Sequence, residues 1–184
     1  AADARQAHGY VRSGTYSCGL HQYRGGDFGN ALTTMNGFVK DYPHDGNSAL
    51  AGKIAIAAEV AQHVPAAGRQ VPTLASGGGI TLTVSNDSPD DVEVLYTGPV
   101  TGSFTLKGCG ACSTYSSQAQ ASASACKAGK SYPNRTLSIP PGTTYFLHKS
   151  TGGSNDSPGQ DTAKLRYGYI YTECAYTVQN LLGL

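Results

Sequence analysis

The chain contains no tryptophan, one methionine and four phenylalanines, so its aromatic surface depends on twelve tyrosines. Charged residues make up only 14% of the 184 and leave a net charge of +1. That excludes the basic footprint by which proteins hold nucleic acid, and no block of charge suits an anionic membrane. No apolar run reaches the roughly 18 residues that a membrane-spanning helix needs. The usual catalytic signatures are missing too. There is no Gly-x-Ser-x-Gly elbow and no His-x-x-x-His or His-Glu-x-x-His pair, and the five histidines, His8, His21, His44, His63 and His148, are scattered. His44 beside Asp45 reads as a polar turn, and His148 as the exposed end of a strand rather than a ligand. Gly77-Gly78-Gly79 precedes a strand pattern, not a helix, so it cradles no phosphate and reads as a hinge. Asp87, Asp90 and Asp91 lack the spacing and the closing Glu of a calcium loop and read as a solvated acidic turn. No cofactor and no metal is expected.

What is present is dominated by five cysteines, four of them in the second half. Cys109-Gly110-Ala111-Cys112 has the spacing of a redox dithiol, but Ser113-Thr114-Tyr115-Ser116-Ser117 is a poor helix start. Zinc wants close pairs of ligands, whereas Cys126 and Cys174 are single and far apart. A disulfide framework remains. Four cysteines allow three connectivities, and the expected pairs are Cys112 with Cys126 and Cys109 with Cys174. The first would close a loop of about 15 residues, stabilising by about 3 kcal/mol in the chain-entropy model. Disulfides, abundant Gly, Ser and Thr and a weakly charged surface suggest a secreted, extracellular protein. The opening Ala1-Ala2-Asp3-Ala4, without Met, suits a processed chain. Asn86-Asp87-Ser88, Asn134-Arg135-Thr136 and Asn155-Asp156-Ser157 fit the N-glycosylation acceptor pattern.

Residues 1–64 read as helical. A weak helix spans Ala1 to Tyr10, Ser13-Gly14 breaks it, and a short helix runs from Thr15 to Tyr23. Asp27 caps a helix from Phe28 to Tyr42, in which Phe28, Ala31, Leu32, Met35, Phe38 and Val39 share one face. Asn47 or Ser48 caps a third helix through Gln62, and residues 65–79 form a linker. Gly19, Gly26, Phe28, Ala31 and Pro43 fall on the small, turn, aromatic and closing-proline positions of one tetratricopeptide unit, which the segment therefore resembles. Thr15, Gln22 and Phe38 depart from that pattern. The resemblance implies a helical hairpin of roughly one 34-residue unit plus a third helix. It does not carry over the family's concave groove, because an array needs about three repeats. Cys18 is expected to sit packed on the first helix as a small hydrophobe.

From Ile80 the pattern changes to period two. Ile80, Leu82 and Val84 alternate with polar residues, and Val92, Val94 and Tyr96 follow after a turn. Phe104 and Leu106, Leu137 to Ile139 and Thr144 to His148 mark further strands. Lys149 to Gln160 reads as a polar loop, and Lys164 to Val178 as one long last strand. Such spacing predicts an antiparallel β-sandwich over residues 80–184. Pro141 to Tyr145, a Pro-Gly-x-x-Tyr turn, resembles the corner before a late strand of immunoglobulin-like and fibronectin-like domains. The expected fold class is α+β, with the N-terminal helical hairpin packed on a C-terminal immunoglobulin-like sandwich.

In an unbroken last strand, Tyr167, Tyr169 and Tyr171 would share one face and Ile170, Cys174 and Val178 the other. The three tyrosines are the candidate binding surface, unless the helical hairpin covers them, which is the expectation here. Three functions follow. The first is a secreted non-catalytic interaction or assembly module, with a protein partner or self-association. The second is an extracellular carbohydrate-binding module using the tyrosine stripe. The third is an extracellular enzyme of unrecognised type.

Overall fold

The computed structural model describes residues 2–152 and 158–179. The third acceptor triplet, at Asn155, lies outside them, as does the side chain of His8. The chain divides into two compact units, one of residues 1–76 with 96–102 and one of residues 77–95 with 103–184. The architecture is mixed α+β, with two sheets of three and four strands and two disulfides.

The first unit holds three α-helices: α1 (Ala2–Arg24), α2 (Phe28–Asp41) and α3 (Ser48–His63), followed by a 3-10 turn at Pro65–Arg69. Helix α1 runs unbroken through Ser13-Gly14, where the sequence predicts a break. The Ser13 hydroxyl donates to the carbonyls of Gly9 and Tyr10, and Thr15 Oγ1 donates to Val11 O at 2.9 Å. These polar side chains thus bond back to their own helix instead of opening it. Asp27 caps α2 as expected, its carboxylate accepting from Asn30 N. Ala31, Met35 and Phe38 are buried on the predicted face and meet Ile54, Ala57 and Ala58 of α3. Tyr23 is buried beside them, and its hydroxyl donates to Gln70 O at 3.0 Å, which ties the start of the expected linker to the helices. Cys18 is exposed, contrary to expectation. Its neighbour Gly19 takes the packed position, against Met35.

The strands are β1 (Ile80–Asp87), β2 (Val92–Thr97), β3 (Gly102–Leu106), β4 (Asn134–Ile139), β5 (Gly142–Ser150), β6 (Gly159–Leu165) and β7 (Tyr171–Tyr176), with a short helix α4 (Gln118–Ser124); all belong to the second unit except Tyr96 and Thr97 of β2 and Gly102 of β3. One sheet has the order β4-β1-β7 and the other β3-β2-β5-β6, in a sandwich-like arrangement. Ile80, Leu82 and Val84 of β1 are buried, as the alternation predicts. Phe146 and Leu147 of β5 are buried, on opposite faces of the strand, as are Leu82, Val94, Phe104 and Ile139.

Four expectations need correction here. The sandwich is not purely antiparallel. β1 runs antiparallel to β4, with Ile80 opposite Ile139, but parallel to β7, with Leu82 opposite Tyr171. The single long last strand is two strands, β6 and β7, separated by residues 166–170. The glycine run is not a hinge, because a Cβ on Gly78 would lie 2.0 Å from Pro140 N, so the backbone passes too closely for any side chain. The segment after Cys112, expected as a loop with a poor helix start, contains α4. Ser117 Oγ accepts from Gln120 N at the start of α4, and Ala121 is wholly buried.

No atom lies within 4 Å of a Cβ built on Gly14, in the middle of α1. Gly14→Ala is therefore expected to stabilise the protein by about 0.5–1 kcal/mol, the usual difference between the two residues inside a helix. Urea melts of the two proteins measure it, and a loss of stability would mean that α1 is interrupted at Ser13-Gly14.

Candidate functional site

The predicted disulfide cysteines are all used, in another pairing. Cys109 joins Cys112, and Cys126 joins Cys174. The local bridge closes the Cys-x-x-Cys turn, where Cys112 N also donates to Cys109 O. The long one spans 48 positions in sequence and is worth about 4 kcal/mol in the chain-entropy model. Cys126 has φ of +50°, a left-handed conformation unfavourable by about 1–2 kcal/mol for a residue with a Cβ. It is held there by its disulfide and by its N–H, which donates to Asp87 Oδ2 at 2.8 Å. Asp87 is buried and also accepts from the Tyr115 hydroxyl at 2.6 Å. Burial first, then Asp87, pushes the Tyr115 hydroxyl far above the usual phenol range.

The acidic turn is accordingly not a solvated one. Asp91 accepts from Lys107 Nζ and Gly108 N, each at 2.8 Å, and Asn86 is buried with its amide donating to Asp90 O and Lys107 O. That engagement withdraws Asn86 from the acceptor role its triplet suggests, while Asn134 is exposed. Asp87, Cys126 and Cys174 lie within 4.8 Å of one another. Because the two sulfurs are bonded together, that group is a carboxylate beside a disulfide and not a set of metal ligands.

The candidate tyrosines stand differently from the predicted stripe. Tyr167 and Tyr169 lie on the turn between β6 and β7, and only Tyr171 belongs to a strand. Within β7 the parity is the reverse of the expected one. Glu173 and Ala175 are buried, while Cys174 takes the opposite face to meet Cys126. Tyr167 and Tyr169 are 65% and 68% exposed and Ile170 88%. The turn is held from below by Tyr171, whose hydroxyl accepts from Arg166 N at 2.8 Å and lies within donating distance of Lys164 O. Gly168, at φ +89°, allows the reversal. The Tyr169 ring lies 6.3 Å from that of Tyr171, and the Tyr167 ring rests on Gly79, where a Cβ would come within 2.9 Å of it.

A second feature, which the sequence reading missed, is a cleft of about 450 Å³ in the second unit. His148 and Ser150 of β5, Asp161 of β6, Glu173 and Tyr176 of β7 and Gln118 of α4 line it. His148 is 7% exposed, not a surface residue, and its Nε2 has no hydrogen-bond partner among the described residues. Glu173 is 8% exposed and its Oε1 lies 3.8 Å from that nitrogen, too far for a direct hydrogen bond. Burial lowers the His148 pKa to about 4, against the opposing charge of Asp161. For Glu173, burial, then the Asp161 charge and a hydrogen bond between the two carboxyls, raise the pKa to about 8, against the Cys174 N–H. The pair is therefore a neutral imidazole facing a neutral acid near pH 7, not an ion pair. The only signal in the sequence was the period-two pattern of β5, which puts His148 on the face of Thr144 and Phe146. Its partner could not be read, because Glu173 belongs to the other sheet.

No family model, no curated protein and no solved structure matches the chain.

Two measurements check these assignments. Mass spectrometry of unreduced digests is expected to give Cys109–Cys112 and Cys126–Cys174 linked peptides, and Cys18 to label readily with a thiol reagent in the folded protein. Cross-linked peptides in the other pairing would contradict the structure. The stability profile tests the cleft. The raised Glu173 pKa favours the folded state below about 4.5, and this advantage is lost as pH rises through about 8. The lowered His148 pKa favours the folded state above about 6.5, and this advantage is lost as pH falls through about 4. From these two groups a plateau is expected between about pH 4.5 and 6.5, where the slopes cancel, then a loss of about 2 kcal/mol between 6.5 and 8. Denaturant melts across this range check it, and Glu173→Gln is expected to abolish the loss at higher pH.

Proposed function

We propose that the protein is a secreted, non-catalytic interaction module that assembles with further copies of itself through the turn at residues 166–170. The observation that carries this reading is the exposure of Tyr167, Tyr169 and Ile170 together on a turn held in place by Tyr171. Large apolar side chains brought together on a fixed loop form a contact surface, because water gains nothing by leaving them apart. Rings already oriented lose little side-chain freedom on binding, which keeps the entropic cost of contact low. The two disulfides and the low charge support the extracellular setting. Among the described residues no helix is long and apolar enough to cross a membrane.

A carbohydrate-binding module is the second reading, and the exposed faces of Tyr167 and Tyr169 favour it, since sugar rings stack on such faces.

The decisive variant is Tyr169→Ala. Its ring is largely exposed, so stability is expected to change by no more than about 0.5 kcal/mol. Light scattering of the wild type over a range of concentrations is expected to show a rising mean mass, and Tyr169→Ala and Ile170→Ser to suppress the rise. A monomer at every concentration overturns the assembly reading. Glycan-array binding lost in Tyr169→Ala would then establish the carbohydrate reading in its place.

A further inference from the structure

The cleft beside His148 is separate in its chemistry from the aromatic turn. Its two carboxyls, Asp161 and Glu173, come from different sheets and line the same cleft, so the charge of one favours a proton on the other. Among the described residues no Lys or Arg lines the cleft, and Lys149, next to His148 in sequence, is engaged with Glu93 at 3.1 Å. The titratable groups that face the cleft are His148 from β5, Asp161 from β6 and Glu173 and Tyr176 from β7, with Cys174 held in its disulfide. An anion would meet Asp161 and no compensating cation, so phosphates and carboxylates are disfavoured.

His148 adds an independent sign. His148 lines the cavity with its side chain buried, its Nε2 has no partner among the described residues, and leaving such an atom unsatisfied is unfavourable by about 1–3 kcal/mol. Two acceptors 3.8 Å apart can share one donor atom placed about 2.8 Å from each. A tetrahedral ammonium nitrogen presents three N–H groups, and the His148 nitrogen lone pair, Glu173 and Asp161 offer three acceptors of the right kind.

We propose that this cleft binds the ammonium group of a small organic amine, with His148 Nε2, Glu173 and Asp161 as its acceptors. The incoming cation takes the place of the Glu173 proton. Glu173 gives that proton to solvent, its carboxylate receives the ammonium N–H, and the charge in the cleft is unchanged by the exchange. A volume of about 450 Å³ leaves room for an aliphatic or aromatic substituent on the nitrogen beside Thr177 and Val178.

The test uses the full chain and ethylammonium chloride, which stays protonated from pH 6 to 9. NMR follows the His148 ring signals during titration. Saturable binding is expected, with Kd falling about tenfold per pH unit from 6 towards 8 and levelling off above that, because one proton must leave. Calorimetry in two buffers of different ionisation heat is expected to show one proton released near pH 7. Glu173→Gln is expected to remove the pH dependence. Asp161→Asn, at an exposed position whose replacement leaves the interior intact, is expected to weaken binding at least tenfold at pH 8. The proposal is overturned by absence of saturable shifts at every pH, by an affinity independent of pH in the wild type, or by glucose or acetate perturbing His148 at lower concentration than ethylammonium.

Discussion

The end of β1 is organised by one buried carboxylate. Asp87 is removed from water and holds both the Tyr115 hydroxyl and the Cys126 N–H. A buried charge with a single weak partner would be strongly unfavourable, and two short bonds to fixed donors offset its desolvation. Around it the disulfide to β7 closes, Cys126 is kept in its left-handed conformation, and the segment from Tyr115 is laid along the chain after β7. Tyr115 and Thr177 bond through their backbones there, and Ser88 meets Thr177 through their hydroxyls. The structure places its polar groups where β1 and β7 end together, and the apolar interior lies behind them.

Strand β7 connects the two surfaces described above. Tyr171 at its start pins the aromatic turn, Glu173 lies two residues on in the cleft, and Cys174 turns to the other face and the disulfide. The alternation of a strand assigns these duties. Successive side chains serve opposite faces, so an acid can be buried next to a cysteine that binds elsewhere. Moving the register by one residue would expose Glu173 and bury Cys174, and both the cleft and the bridge would be lost.

Much of the fold was legible because apolar periodicity is a local property. The face of α2, the alternation of β1 and the Asp27 cap are written in neighbouring residues. The misses share a different cause. β6 has one buried residue, Leu165, in an otherwise polar segment, since an edge strand needs no apolar alternation. The break expected in α1 did not account for side chains that bond back to the helix. The disulfide pairing and the parallel β1–β7 pair depend on which distant segments meet, and residue spacing carries no such information. The candidate tyrosines were grouped by a period that the turn at 166–170 interrupts, and Tyr167 and Tyr169 are exposed where cover by the helical hairpin was expected. Of the cleft, only His148 could be noticed, and its role arises from burial and from two carboxyls brought together by tertiary structure.

The parallel pairing of β1 with β7 has a consequence for how the protein is made. The middle strand of the three-stranded sheet finds its neighbours in β4 and β7, both far along the chain. Until β7 is made and docks, β1 has one open edge. Sheets closed by distant segments form slowly, because the loop must be ordered before the contacts reward it. A chain in which β7 has not docked therefore keeps one edge of β1 unpaired, and Cys126 and Cys174 can oxidise only once β7 has brought them together.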